Sequence, residues 1–567
     1  MNAHRYRPFP AVELPDRRWP SRTIERAPAW CSVDLRDGNQ ALVEPMGPDR
    51  KRRIFELLVR LGFREIEVGF PSASQPDFDF VRELIEGDRI PPGVTIQVLT
   101  QARDDLIART FEAIAGAPRA IVHVYNATSP LFRRVVFGLD RAGVVDVALR
   151  AVREIKRRAG AIAAHTQVRL EYSPETFSAT ELAFSAEICD AVLAAWGATP
   201  DDPVVINLPA TVETSTPNVY ADQIEWLGRR LRRRASAILS VHPHNDRGTA
   251  VAAAELALMA GAERVEGTLF GNGERTGNVD LVTLALNLFS QGVDPGLDLS
   301  RVPEIVRVVE ECNRLPIHPR HPYGGELVFT AFSGSHQDAI KKGFAAHAAS
   351  GEARWEVPYL TVDPKDLGRT YDAVVRVNSQ SGKGGVAYVL GAEHGLELPR
   401  GLQVDFSRVI QARAESSGGE IAPAEIRAAF EEAYVRTGPL RLAEYTIRDD
   451  GAGRAACAID ATLTGGTAPF AVRGEGSGAI DAFVDALARA SALKLDVRDF
   501  HEHALRAGTD AAAVAYIQLA AGGEVRWGAG IDANAVTASL SAVLAAAGPR
   551  LAAVHDLQES THAPVAV

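Results

Sequence analysis

The sequence has few cysteines, lacks a long apolar run and carries no excess of basic charge. Each of these deficits excludes a class of protein. The four cysteines are far apart and include no Cys-x-x-Cys pair; they are Cys31, Cys189, Cys312 and Cys457. Such isolated cysteines are typical of buried thiols in a reducing compartment, not of a disulfide framework or a zinc knuckle. Because no apolar run reaches ~18 residues, we expect no membrane span. The N-terminus has no apolar segment of the secretory type, so we expect no signal peptide.

The balance of charge also limits the possible partners. The 567 residues carry a net charge of −11, which argues against nucleic-acid binding. The one basic run, Arg229–Arg234, is expected to lie solvated near the end of a helix, where cations suit the helix dipole. We therefore expect a cytoplasmic enzyme with small-molecule substrates and neither a membrane nor a nucleic-acid partner.

Short apolar runs alternate with amphipathic helical stretches from residue 30 to about residue 300. Eight such runs predict strands, which begin near Cys31, Glu65, Thr95, Ala120, Gln167, Val204, Ala237 and Arg264. Eight strands that alternate with helices favour an α/β fold in which a parallel sheet closes into a (β/α)8 TIM barrel of about 250 residues. The alternative is an open doubly wound sheet, but the Gly-rich turn expected after its first strand is replaced here by Asp37-Gly-Asn-Gln40.

The chain is too long for one hydrophobic core, so we expect several domains. We predict an N-terminal arm at 1–29, the barrel at 30–315, connector subdomains at 316–435 and a C-terminal α+β domain at 436–567. The arm is rich in Pro and Arg, and we expect it either to pack on another surface, such as a partner subunit, or to be a partly disordered tail.

The C-terminal domain contains an internal echo. Gly474-x-Gly476 and Gly528-x-Gly530 each precede an Ala-rich stretch, which predicts two related units with pseudo-two-fold symmetry. Glycine turns that open onto helix N-termini are suitable sites for a small anionic ligand. Ordinary tight turns are the alternative interpretation.

Polar residues cluster at the predicted C-terminal ends of the barrel strands, the face on which barrel enzymes carry their active sites. His242 and His244 are two residues apart on one strand and therefore point the same way. Together with Asp37 at the end of the first strand, and with the side-chain carbonyl of Asn278, they predict a divalent metal site with open coordination positions. Such a set of oxygen and nitrogen ligands suits Mg, Mn or Zn, and the ion could hold a 2-oxo acid by its keto and carboxylate oxygens.

Arg36 precedes the predicted ligand Asp37 directly. We expect its guanidinium to hydrogen-bond the keto oxygen of the substrate as that oxygen gains negative charge. A salt bridge at the barrel mouth, to Glu274, is the structural alternative, and the two roles are compatible.

Four ordered motifs resemble the 2-isopropylmalate synthase family, within the DRE-TIM metallolyase superfamily of Claisen-type acyl-CoA condensing enzymes. They occupy residues 33–40, 207–213, 242–248 and 271–278. The resemblance covers nearly the whole chain from about residue 30, including a C-terminal unit like the leucine-binding regulatory domain of the family. It implies condensation of acetyl-CoA with 3-methyl-2-oxobutanoate and water to give 2-isopropylmalate and CoA, with feedback inhibition by leucine. Many superfamily members have Glu where this chain has Asn39, so the role of that position stays open.

The resemblance also implies roles for individual residues. The metal ligands would be Asp37, His242, His244 and Asn278, and Arg36 would polarise the keto group. The 2-oxo acid pocket would be lined by His123, Ser173, Asn207 and Thr211. Glu175 and His336 are alternative general acid–base groups, and Tyr359 would approach the site from the partner subunit of a homodimer. The regulatory site would include Gly474, Gly476, Gly528 and Gly530. Homocitrate synthase, citramalate synthase and a catalytically dead amino-acid sensor remain alternatives on the same scaffold.

Overall fold

The computed structural model describes residues 3–5, 7, 9–331, 333–371, 386, 390–391, 394–417, 421, 423–449, 457–465, 469–506 and 511–561. Among these residues, no helix is long and apolar enough to cross a membrane. The chain divides into two compact units: Met1–Phe329 with Thr361–Thr370, and Thr330–Leu360 with Tyr371–Val567.

The first unit contains a closed barrel of eight parallel strands, in which the last strand pairs with the first. The strands are β1 (Ala29–Ser32), β2 (Glu65–Gly69), β3 (Thr95–Gln101), β4 (Arg119–Ala127), β5 (Gln167–Glu175), β6 (Val204–Ala210), β7 (Ala237–Pro243) and β8 (Arg264–Gly267). The predicted (β/α)8 barrel is confirmed, and the open sheet is wrong because closure leaves no edge strand.

Helices follow the strands around the outside of the barrel. They are α1 (Pro48–Leu61), α2 (Gln75–Glu86), α3 (Asp104–Ile114), α4 (Arg141–Ile162), α5 (Leu182–Trp196), α6 (Pro217–Arg230), α7 (Ala250–Met259), α8 (Leu281–Ser290) and α9 (Val302–Asn313). Gly62 ends α1 with φ +101°, a backbone conformation that glycine adopts without strain. α8 is buried along most of its length.

Part of the N-terminal arm packs on its own barrel. The indole nitrogen of Trp19 donates a hydrogen bond of 2.8 Å to Asp222 in α6, and the Trp19 backbone N–H donates one of 3.0 Å to Glu225. Arg17 pairs with Asp222 at 2.8 Å. The surface that receives residues 17–19 is therefore a barrel helix of the same chain.

Before its sheets, the described residues of the second unit include the helices α10 (Gly334–Ser350), α11 (Arg400–Ser417) and α12 (Pro423–Phe430). The last two contribute to an apolar cluster in which Phe406 meets Phe430 edge to face at 5.5 Å. Tyr516 and Trp527 belong to the same cluster. The predicted domain boundaries within this part of the chain stay predictions.

After α12, the described residues form two copies of a strand–strand–strand–helix unit. The first is β9 (Arg441–Asp449), β10 (Cys457–Thr464), β11 (Phe470–Gly476) and α13 (Ala479–Ser491), and the second is β12 (Leu495–Ala504), β13 (Ala513–Ala521), β14 (Glu524–Asp532) and α14 (Ala535–Thr561). Each forms a three-stranded antiparallel sheet, and both helices share one apolar core. The predicted internal symmetry of an α+β domain is confirmed.

The four glycines of the echo do not form turns, so that interpretation is wrong. Gly474 and Gly476 lie in β11, and Gly528 and Gly530 lie in β14, each paired with the neighbouring strand. A Cβ atom built on Gly474 would overlap the backbone of Ala482 and Ala486, and one built on Gly530 would overlap the carbonyl oxygen of Ala538. These positions are glycine because a helix backbone rests directly on the strand.

The structural repeat also has a different register from the glycine echo. The middle strands begin at Cys457 and Ala513, and the helices begin at Ala479 and Ala535, so both pairs are 56 residues apart. Gly474 therefore corresponds to Gly530, not to Gly528. Because small residues have a similar spacing in both copies, the sequence alone aligned the two copies two residues away from their structural correspondence.

Candidate metal centre and active site

Asp37, His242 and His244 meet at the C-terminal mouth of the barrel. One ligand atom from each lies within 4.8 Å of the others. Asp37 Oδ2 is 3.4 Å from His242 Nε2 and 3.8 Å from His244 Nε2. Asn278 is held beside them by an isolated bridge to His244, and its Oδ1 lies 3.1 Å from His242 Nε2.

The local backbone explains this convergence. Asp37 belongs to a π-helical turn, Asp34–Gly38, that follows β1 and turns the carboxylate inward. His242 is one residue before the end of β7 and His244 is one residue beyond it, so both imidazoles project from the same face. Among the described residues, Asp37 Oδ2 is buried without a hydrogen-bond partner, as is His244 Nδ1. A buried, unpartnered carboxylate oxygen facing two imidazoles fits a divalent cation.

The pKa values of Asp37, His242 and His244 also indicate that positive charge stabilises this cluster. Burial opposes the ionisation of Asp37, but Arg36 and the two imidazoles hold its pKa well below its usual value. Burial lowers the pKa of His242, yet the nearby carboxylates of Asp37 and Glu266 outweigh it and raise the pKa to about 9. Burial and the charge on His242 lower the pKa of His244 to about 4. One proton on His242 thus supplies the charge that a cation would supply.

Arg36 is fixed from two sides. Its Nη1 donates a hydrogen bond of 2.6 Å to Asp37 Oδ1, and its Nε pairs with Glu67 of β2. The alternative role of Arg36, a salt bridge, is present, but its partners are Asp37 and Glu67, whereas Glu274 accepts a hydrogen bond of 2.9 Å from Gln40. The inward π-helical turn brings Arg36 over the barrel interior, where Glu67 is the nearer carboxylate.

A cavity of about 210 Å³ adjoins the metal group. Nine predicted residues line it: Arg36, Asp37, His123, Ser173, Glu175, Asn207, Thr211, His242 and His244. The cavity also has an apolar side that the strand-end pattern did not reveal, formed by Phe70, directly after β2, and by Leu99 of the neighbouring β3, whereas Pro209 lines the cavity from β6, across the barrel. Tyr125 lines it as well. The combination of one polar and one apolar side suits a small acid with a short hydrocarbon chain.

Hydrogen bonds hold the polar side of this cavity. His123 Nε2 and Ser173 Oγ are 2.7 Å apart, and Asn207 Nδ2 donates to the same hydroxyl at 3.0 Å. Thr211 Oγ1 accepts a 2.9 Å hydrogen bond from the Thr176 backbone. Of these groups, Asn207 Oδ1 is buried without a partner and is available to a ligand.

Two kinds of candidate acid–base group occur. Glu175 lines the cavity, and burial raises its pKa against the opposing effect of Arg36. His336 and Tyr359 belong to the second unit, where their rings stack with centroids 4.2 Å apart. Their approach to a barrel mouth stays a prediction. Asn39, whose role was open, accepts a hydrogen bond of 2.7 Å from the Met46 backbone and so fixes the loop after β1.

Sequence reasoning missed a layer of charged and amide side chains beneath the metal group. Its members are Glu67, Gln97, Glu171, Arg264 and Glu266, all fully or almost fully buried. The signal was present, because a charged or amide side chain interrupts the apolar runs of β2, β3, β5 and β8. Paired inward-facing charges at alternate positions of barrel strands indicate such a layer.

A second cavity, of about 740 Å³, lies in the C-terminal repeat. The first turns of α13 and α14 both contribute to it, through Ser477–Asp481 and through Ala535, Val536 and Ser539. β12 adds apolar residues and the carboxylates of Asp496 and Glu502. None of the four glycines of the echo lines this cavity.

Comparison with known proteins finds family models that match three successive parts of the chain. Residues 27–309 match the HMGL-like family, residues 326–391 match the alpha-isopropylmalate synthase post-catalytic domain-like family, and residues 420–549 match the LeuA allosteric (dimerisation) domain. The chain is 59% identical to the 2-isopropylmalate synthase of Rhodospirillum rubrum over 96% of its own length and 98% of the relative's. It is 58% identical to that of a Parafrankia species, over 96% and 97% of the two chains. It is 57% identical to the 2-isopropylmalate synthase of Thermobifida fusca, over 96% of its own length and 97% of the relative's.

Proposed function

The chain belongs to the 2-isopropylmalate synthase family, and we propose that its barrel mouth condenses acetyl-CoA with 3-methyl-2-oxobutanoate. Water then releases CoA and leaves 2-isopropylmalate. The enzyme is a transferase of leucine biosynthesis. The observation that carries the assignment of the site is the convergence of Asp37, His242 and His244 beside a cavity with one apolar side.

Asp37, His242 and His244 would hold a divalent metal, with Asn278 as a fourth ligand. A carboxylate with imidazoles and an amide oxygen, and no thiolate, suits magnesium, manganese or zinc. When bound, the ion supplies Lewis-acid polarisation of the keto group and a template for the 2-oxo acid.

The chain's own residues then position and neutralise the reacting groups. Arg36, fixed by Asp37 and Glu67, places a permanent positive charge beside the keto oxygen, where negative charge develops during carbon–carbon bond formation. His123, Ser173 and Asn207 form one hydrogen-bonded set that holds the polar end of the 2-oxo acid, with Thr211 at its edge. Phe70 and Leu99 receive its hydrocarbon chain.

Condensation also requires a base that removes a proton from the acetyl methyl group. Glu175 is the candidate inside the barrel, since its raised pKa improves its strength as a base near neutral pH. His336, beside Tyr359, is the alternative, and we propose that it reaches the barrel of the partner subunit in a homodimer. The match to a dimerisation domain supports that assembly.

Leucine is proposed to inhibit the enzyme from the 740 Å³ cavity of the C-terminal repeat. Two helix N-termini provide backbone N–H groups for its carboxylate, Asp481, Asp496 and Glu502 can accept from its ammonium group, and Ile480, Val484 and Leu495 surround its side chain. The match of residues 420–549 to the LeuA allosteric domain supports this location.

The direct test is to incubate the full chain with acetyl-CoA and 3-methyl-2-oxobutanoate and to measure both free CoA thiol and 2-isopropylmalate by mass spectrometry. We expect equal amounts of the two products, loss of both with a chelator and recovery on adding Mg²⁺ or Mn²⁺. Release of CoA without the expected product, or a preference for 2-oxoglutarate, would contradict the proposal, and the latter would indicate homocitrate synthase.

A further inference from the structure

Glu266 is a fully buried carboxylate of β8 that touches both halves of the candidate site. Its Oε2 lies 2.8 Å from His242 Nδ1, on the metal side. The same oxygen accepts a hydrogen bond of 3.0 Å from Asn207 Nδ2, on the side of the 2-oxo acid.

The other oxygen of Glu266 is anchored in the barrel interior. Oε1 accepts hydrogen bonds of 2.8 Å from Gln97 Nε2 and of 2.9 Å from Arg264 Nη1. Four donors therefore occupy the four lone-pair positions of one carboxylate, which leaves it no freedom to turn. Arg264 balances its charge, so the buried anion is paired as well as hydrogen-bonded.

This arrangement fixes the direction of His242. A proton on Nδ1 donates to Glu266, and the opposite nitrogen, Nε2, is then the one that lies 3.4 Å from Asp37 Oδ2 and 3.1 Å from Asn278 Oδ1. A carboxylate behind a metal-binding imidazole sets its tautomer and increases its basicity.

The same carboxylate fixes the amide of Asn207. Its Nδ2 is used by Glu266 and by Ser173, so its unpartnered Oδ1 is left as the acceptor at the cavity. Turned by 180°, the amide would place its oxygen against the Glu266 carboxylate, which repulsion forbids.

We propose that Glu266 is a positioning residue that orients the coordinating nitrogen of His242 and the acceptor oxygen of Asn207 together, and so aligns the metal with the 2-oxo acid. This inference rests on the proposed function, because it assumes a metal at the Asp37 group. It assigns to one buried side chain an effect on the binding of both the metal and the 2-oxo acid, neither of which it would touch.

Glu65 provides a matched control. It is another largely buried carboxylate that pairs with Arg264, at 2.5 Å from Nε, but its second partner is Arg169 and it contacts neither His242 nor Asn207. Glu65→Gln and Glu266→Gln remove the same charge from the same arginine. Only the second reaches the site.

The experiment measures binding of Mn²⁺ to the metal-free full chain by calorimetry, without substrates. We expect E266Q to bind Mn²⁺ about 10–100-fold more weakly than the wild type, the range found when the carboxylate behind a metal-binding histidine is lost. We expect E65Q to bind within about twofold of the wild type, and a Co²⁺ absorption spectrum altered in E266Q alone. At saturating metal, the KM for 3-methyl-2-oxobutanoate should rise in E266Q and stay unchanged in E65Q.

Circular dichroism establishes that each variant is folded. If E266Q is not, E266D keeps the charge but withdraws Oε2 from His242 by one methylene, and the same loss of Mn²⁺ affinity is expected. Histidine-labelled, zinc-loaded wild type provides a test that needs no variant: its ¹⁵N spectrum should show His242 protonated at Nδ1, and metal coordination through Nδ1 would overturn the inference. Unchanged Mn²⁺ affinity in a folded Glu266 variant would overturn it too. A wild type that binds neither Mn²⁺ nor Co²⁺ removes the proposed metal centre, and this inference with it.

Discussion

The barrel mouth and the C-terminal repeat both bring distant segments into close contact, but they do so by opposite means. At the barrel mouth, charged and polar side chains from the turn after β1, the end of β7 and the loop after β8 converge on one point. In the repeat, Gly474 and Gly530 remove the side chain so that a helix backbone can rest on a strand. In the first region residue type indicates chemistry, whereas in the second it indicates only available space.

The largest expected effect is a loss of activity and metal binding at the barrel mouth that leaves leucine binding by the repeat intact. Asp37→Ala should lower activity by at least ~10³-fold and abolish Mn²⁺ binding, because it removes the one carboxylate of the metal group, a change worth about 4 kcal/mol or more. Leucine binding, measured by calorimetry, should persist, since the folded repeat does not depend on that carboxylate. Glu44→Ala removes a surface carboxylate paired with Arg50 and Arg314 and serves as the control. Wild-type turnover in Asp37→Ala would mean that the site lies elsewhere.

The second expected effect tests whether the glycines are indeed spacers. Gly530→Ala should destabilise the second unit by about 3 kcal/mol or more, because the new methyl group meets the carbonyl of Ala538 and neither the strand nor the helix can move away cheaply. Scanning calorimetry gives the loss of stability, and Mn²⁺ affinity should not change.

Gly478→Ala is the matched control for that change. Nothing lies within 4 Å of a Cβ at position 478, so its stability should change little. Equal stability of the two variants would contradict the interpretation of Gly530 as a spacer between strand and helix, and its predicted role in ligand binding would have to be tested again.

The difference between the regions also explains what the sequence could predict. The barrel was predictable because apolar runs recur with a regular spacing, and the metal group because polar side chains follow several of those runs. Glu266 and Gln97 were missed because one charged or amide residue inside an apolar strand gives no indication of its partners, which are distant in sequence. Gly474 was misread because glycine suits both a turn and a close helix contact, and only the position of α13 distinguishes them.

The third expected effect concerns selectivity at the barrel mouth. The apolar side of the cavity, which includes Leu99, should favour 3-methyl-2-oxobutanoate over 2-oxobutanoate and pyruvate by about 1–3 kcal/mol per methylene removed, or roughly 10–200-fold in kcat/KM. A second carboxylate on the substrate should be rejected more strongly, because Phe70 and Leu99 offer it no hydrogen bond. Relative kcat/KM values for the three 2-oxo acids and 2-oxoglutarate give the measurement. Equal values for pyruvate and the branched acid would contradict this assignment of the apolar side.

The smallest expected effect tests whether leucine binds in the cavity of the C-terminal repeat. Ala535 is exposed and lines the 740 Å³ cavity at the first turn of α14. Ala535→Leu should fill part of that cavity and raise the inhibition constant of leucine by about tenfold, equivalent to ~1.4 kcal/mol, while activity without leucine stays unchanged. Ala533→Leu adds the same side chain two residues earlier, at an exposed position outside the lining, and should keep normal inhibition. If both variants lose inhibition equally, the cause is general disturbance of the turn before α14. If neither does, the ligand site of the repeat lies outside this cavity.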